Sequence, residues 1–185
     1  MKKILTFLFA LVAVLGLASC GKAVENPEKD YYVSGQFADW KVGEREDLKM
    51  VAVAANDKAV RKLKIKNAKY VYAVEVVFPS EKASWQEKVK NGEEIIEFDG
   101  NLALKVVRTA KGDPESMDFW AQNKESGEVK NLSPETLFVP AYREQDQADG
   151  QSTWGGNCCV REAGTYTIVF VEFEDGSLGM GAVKK

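Results

Sequence analysis

The sequence predicts an all-β fold: a single antiparallel β-sandwich carrying one or two short helices. Three observations predict it. Beyond residue 30 the apolar segments are short, rich in Val, Ile, Phe and Tyr, and separated by turn residues. Two Asp-Gly pairs, Asp99-Gly100 and Asp175-Gly176, stand between such segments. Asp-Gly tolerates the positive φ angles of tight hairpins. The run Tyr166-Thr167-Ile168-Val169-Phe170-Val171 is largely apolar on both faces, which suits a mid-sheet strand covered on each side.

Taken in chain order, the candidate strands are 31–37, 48–54, 61–66, 70–78, 94–98, 102–108, 136–142, 165–173 and 178–183. Phe98-Asp99-Gly100-Asn101 is expected to join 95–98 to 102–107 as a hairpin, and Glu174-Asp175-Gly176-Ser177 to join the last two strands. Ser84-Trp85-Gln86-Glu87 has the form of a capping box and Asn91-Gly92 that of a stop, predicting a short helix over 85–90. Asp113-Pro114-Glu115 supplies a cap and a first-turn proline ahead of a second helix over 116–122. Residues 145–156 are polar and read as a long loop ending in Trp154-Gly155-Gly156. No internal repeat or composition shift divides the rest, so 31–185 reads as one domain.

The N-terminal part reads differently. A basic head, Met1-Lys2-Lys3, precedes an uncharged apolar run over 4–17. As a helix that run would rise about 21 Å, short of the roughly 30 Å hydrocarbon core of a bilayer. It fits an export signal over 1–19 better than a membrane span. Leu17-Ala18-Ser19-Cys20 resembles the lipobox of bacterial lipoproteins. The resemblance implies cleavage before Cys20, a diacylglycerol on its thiol and an acyl chain such as palmitate on the new amine. An ordinary secretory signal with an incidental cysteine is the competing reading. Residues 20–30 then form the lipidated cysteine and a flexible polar tether. In enteric bacteria an Asp after the cysteine retains a lipoprotein in the inner membrane. Gly21 stands there instead, which points to a lipid anchor in the outer membrane of the cell envelope. The face it occupies is not fixed by the sequence.

Removing 19 of 185 residues leaves 166, enough for one substantial core, with 23 basic and 28 acidic side chains. That acid excess argues against nucleic acid as a partner. The chain has no histidine, which removes Ser-His-Asp and Cys-His mechanisms and His-containing zinc sites. No motif calls for a cofactor, and the expectation is a protein that is not an enzyme. Three readings of Cys158-Cys159 stay open: two buried small hydrophobes, a strained vicinal disulfide, or a redox or metal role. Glu93, Glu94, Glu172, Glu174 and Asp175 read as solvated groups at turns and edges. The oxygen-rich stretch 144–150 lacks the terminal Glu of a twelve-residue calcium loop, so no metal is expected. Lys58, Arg61, Lys62, Lys64 and Lys66 read as a basic strand edge that guards against sheet-to-sheet aggregation.

The four tryptophans, Trp40, Trp85, Trp120 and Trp154, either pack in the core or offer an aromatic surface to a sugar. Trp40 and Trp154 have the most polar flanks, so the candidate ligand-binding residues are Trp40, Trp154, Tyr32, Asp39 and Asn157. Tyr31-Tyr32-Val33-Ser34-Gly35-Gln36-Phe37-Ala38-Asp39-Trp40 resembles the opening strand of starch- and glycogen-binding β-sandwich modules. Ala163-Gly164-Thr165-Tyr166-Thr167-Ile168 resembles their closing strands. Such modules occur in lipid-anchored surface proteins of starch-utilisation systems in gut Bacteroidetes. The match covers the two ends of the domain, and the middle aligns with no such pattern. It implies a β-sandwich and non-catalytic binding of glycan through an aromatic platform. A second class of function is an accessory or assembly lipoprotein that binds another envelope protein. That class would show an exposed apolar patch or an unpaired sheet edge in place of a platform.

Overall fold

Alternation of inward and outward side chains builds the domain from strands almost alone. In the computed structural model, the described residues are 22–91, 94–121, 136–144 and 157–185. The strands in chain order are β1 (Lys29–Gly35), β2 (Val51–Ala52), β3 (Ala68–Phe78), β4 (Gln86–Asn91), β5 (Glu94–Asp99) and β6 (Ala103–Ala110). They continue with β7 (Asp113–Ala121), β8 (Ala141–Glu144), β9 (Cys158–Cys159), β10 (Gly164–Phe173) and β11 (Leu178–Lys184). One sheet runs β1-β6-β7-β8, with β9 also paired to β6, and the other runs β11-β10-β3-β2. Strands β4 and β5 form a separate two-stranded ribbon. Every pairing is antiparallel. The protein is an all-β, sandwich-like fold.

Side-chain parity explains the core. Tyr31 and Val33 of β1 and Leu104 and Val106 of β6 meet Tyr72, Val76 and Phe78 of β3 and Ile168 and Phe170 of β10 between the two sheets. The opposite face of β10 sends Val169 and Val171 into a second apolar cluster under Val60, Leu63 and Ile65. The two-sided apolar pattern of 166–171 therefore has the meaning expected of it. Strand β10 lies between β11 and β3 with cover on each face.

Several local expectations are corrected. Neither helix forms. Segment 86–91 is strand β4, and Asn91, expected at a helix stop, pairs with Glu94 of β5 instead. Residues 113–121 are strand β7, and Pro114 takes a place near the strand start, where its missing N–H is tolerated. The hairpin at Asp99-Gly100 is also absent: β5 pairs with β4, β6 with β1, β7 and β9. Asp99 caps a one-turn 3-10 segment, Gly100–Leu102, by accepting from the Asn101 N–H, and the chain leaves the ribbon for the sheet. The hairpin at Asp175-Gly176 does form, with Gly176 at φ 82°. Segment 61–66 is no edge strand; Arg61–Leu63 is a 3-10 turn lying across the outer face of β10 and β3.

The polar stretch expected to tether the domain joins the fold before β1. Asn26 is 9 % exposed; its backbone N–H donates to the Tyr72 hydroxyl at 2.5 Å and its side-chain amide to that of Tyr31 at 3.1 Å. The Tyr31 hydroxyl donates in turn to the Glu172 carboxylate, with Arg108 3.9 Å from the same oxygen. This network closes one end of the sandwich. Burial pushes the Tyr72 hydroxyl up to about 12. Burial first, and the Glu172 carboxylate second, push Tyr31 higher still.

Candidate functional site

Two of the four tryptophans come together outside the main core. Strand β1 ends at Gly35, where a Cβ would lie 2.5 Å from the Ala103 carbonyl oxygen of β6, so only glycine permits the close approach. A 3-10 turn over Gln36–Ala38 follows, and Phe37 tucks edge-on against Phe78, ring centroids 5.0 Å apart. Asp39 (φ 51°) and Trp40 (φ 59°) then both take the left-handed conformation, unusual for residues with a side chain. The Trp40 N–H still reaches back to the Gly35 carbonyl at 3.0 Å. That reversal sets the Trp40 ring beside the indole of Trp85, which immediately precedes β4.

The two rings lie 6.4 Å apart between centroids, tilted by 33°. Both indole N–H groups donate to one acceptor, the Gln36 side-chain oxygen, at 3.2 Å from Trp40 and 2.9 Å from Trp85. Each ring is half-buried, resting on a small cluster of Phe98, Ala103 and Cys159. The Lys105 ammonium stands 5.7 Å from the centre of the Trp40 ring. Asp39 is exposed at the turn. With their one polar group satisfied internally, the rings leave apolar surface beside charged side chains. Stacking against the C–H face of a sugar needs that combination.

The sequence candidates divide. Trp40 and Asp39 lie at this surface. Tyr32 does not: it is 5 % exposed, facing away from the inter-sheet core, with the Lys49 ammonium 5.7 Å over its ring. Asn157 is also buried, at 6 %. Neither can meet a bulky ligand without rearrangement. Trp154, Cys20 and residues 1–19, expected to be an export signal, lie outside the described residues, as does 145–156. Trp120 is on β7, its backbone paired with Val106 and Tyr142. Trp85, Gln36 and Lys105 were not among the candidates. Reading Asn91-Gly92 as a hairpin signal would have turned Trp85 from a helix start into a strand entry.

The vicinal disulfide is not formed. Cys158 and Cys159 are both fully buried and not bonded to each other. Strand β9 holds them extended against Leu104 and Ala103, so their side chains point to opposite faces. Cys158 packs in the inter-sheet core and Cys159 beneath the tryptophan pair. Both pack among apolar side chains. Comparisons of the chain with protein-family models, with curated proteins and with solved structures each found no match.

Proposed function

We propose that the protein is a lipid-anchored, non-catalytic binding protein of the cell envelope that captures glycan on Trp40 and Trp85. The observation that carries this reading is the shared Gln36 acceptor, which holds two half-buried indoles at a fixed separation and tilt. Pre-set aromatic rings lose little side-chain entropy on binding, so stacking energy is retained as affinity. The resemblance of 31–40 and 163–168 to starch- and glycogen-binding modules supports α-glucan as the class of ligand. The resemblance of Leu17-Ala18-Ser19-Cys20 to a lipobox supports the anchor. Affinity electrophoresis through gels containing starch, glycogen and unrelated polysaccharides tests it. Wild-type protein is retarded on at least one, and Trp40→Ala and Trp85→Ala migrate freely. Unretarded migration of the wild type on every polysaccharide overturns the proposal.

One observation favours the second reading, an accessory lipoprotein that binds another envelope protein. Strand β2 pairs with Tyr72 and Ala73, and the Val53 N–H reaches the Val71 carbonyl, so among the described residues β3 is paired on one side only from 74 to 78. Val77, on that stretch, is 66 % exposed. An added strand from a partner fits such an edge. Photo-crosslinking from position 77 in intact envelopes distinguishes the readings: one discrete adduct favours the partner, and none favours the glycan.

A further inference from the structure

We infer that the cationic segment 58–69 is a contact surface for anionic lipid headgroups, holding the domain against the bilayer that anchors it. The inference rests on the lipid anchor proposed above. Lys58, Arg61, Lys62, Lys64, Lys66 and Lys69 fall within 58–69, and no acid occurs from 58 to 74. The whole chain has 25 basic and 28 acidic residues, so a run of six cations with no acid among them is a local excess of positive charge. All six side chains are exposed. The edge-guard explanation fails, because the segment crosses a sheet face. Val60, Leu63 and Ile65 pin it there by burial, which presents the cations on a firm support. Several cations elsewhere are paired with acids, as Lys49 is with Asp30 and Lys111 with Glu25. Lys58, Arg61 and Lys64 have no such partner among the described residues. Lys66 lines a cavity with Glu174 and Asp175, which offset part of its charge.

The tether decides what the segment faces. The chain is fastened at Asn26 to Tyr72 of β3, and β3 begins at Ala68, within the basic segment, so that Lys69 lies on that strand. Five residues, 21–25, separate Asn26 from Cys20. Fully extended, that stretch spans about 20 Å. A lipid on Cys20 therefore keeps the attachment at Asn26 within about 20 Å of the headgroups, and Lys69 lies three residues from Tyr72 on the strand that holds that attachment. Basic residues so placed feel the negative surface potential of anionic lipid, which decays within a Debye length of about 8 Å. The leash supplies the high local concentration that makes a weak contact persist.

The test uses the lipidated protein reconstituted into vesicles of phosphatidylcholine, with or without phosphatidylglycerol and a trace of dansyl lipid. Flotation with the vesicles reads the anchor; energy transfer from tryptophan to dansyl reads how closely the domain lies. Expected are flotation on both vesicle types and higher transfer on the anionic ones, abolished at about 1 M salt, where the Debye length is about 3 Å. The variant Lys58→Gln/Arg61→Gln/Lys62→Gln/Lys64→Gln floats equally and keeps its Tm, but its ratio of docked to undocked domain falls about fivefold per charge removed. Protein that does not float overturns the anchor and the inference together. Flotation with equal transfer on both vesicles overturns the inference alone. If the same variant then loses retardation in a gel of acidic polysaccharide, the segment belongs to a glycan instead.

Discussion

Trp85 occupies the space that any side chain at Gly100 would need: a Cβ there would lie 2.5 Å from Trp85 Cε2 and 2.6 Å from Cδ2. Contacts that short force a shift, and the indole is the movable partner, because Gly100 is tied by its N–H to the Trp85 carbonyl at 3.0 Å. Gly100→Ala is expected to swing the ring out, cost about 1–3 kcal/mol, and red-shift tryptophan emission. Denaturant titration and emission spectra check both. An unchanged spectrum with unchanged stability would mean that the ring is not seated there.

Gln36 is the single acceptor for both indoles. Gln36→Leu leaves two half-buried N–H groups without it, at a cost of about 1–3 kcal/mol. It should also weaken retention on polysaccharide more than it lowers Tm, because the rings lose their fixed separation. Gln36→Glu keeps an acceptor oxygen and should retain most of the binding. Equal losses in both variants would assign Gln36 a general packing role.

The thiols of Cys158 and Cys159 are buried and not bonded to each other. Ellman's reagent should therefore react with them only after denaturation, and dithiothreitol should leave Tm unchanged. A Tm that falls on reduction would restore the vicinal disulfide.

Tyr72 and Tyr31 make stability depend on alkaline pH. An unfolded tyrosine ionises near 10, whereas the folded Tyr72 does so at about 12 and Tyr31 higher, both mainly through burial. Above pH 10 the unfolded chain sheds protons that the folded chain keeps, so it is the unfolded state that gains. This contribution is fully present below about pH 10 and is lost as pH rises from there through 12. Urea midpoints measured at pH 8, 10 and 11.5 should be level and then fall. Tyr31→Phe should shallow that fall. A midpoint that rises above pH 10 would contradict the assignment.

Strands with β-branched and aromatic content, β1, β3, β6 and β10, were legible in the sequence because each buries at least one face in a core, and β11 followed from the Asp175-Gly176 turn before it. The two-sided pattern of 166–171 even gave its place within a sheet. The errors cluster where two local signals compete. Ser84-Trp85-Gln86-Glu87 can cap a helix, but 86–91 finds a partner strand in 94–99, and tertiary pairing outweighs a cap worth about 1 kcal/mol. Asp99-Gly100 can turn a hairpin, but Gly100 is needed to admit Trp85. The site was half legible for the same reason. Trp40 carried its polar flanks in sequence, whereas Trp85 and Gln36 meet it only through the fold.

The central claim is that Trp40 and Trp85 form one glycan-binding surface. Its most direct test is a tryptophan-fluorescence titration with soluble α-glucan fragments, on wild type, Trp40→Ala and Trp85→Ala, each first shown to keep a cooperative unfolding transition. The account predicts a saturable spectral change in the wild type and at least about a tenfold loss of affinity in each variant, about 1.4 kcal/mol per stacking ring. Wild-type affinity in both variants, or no saturable change with any glycan, would contradict it.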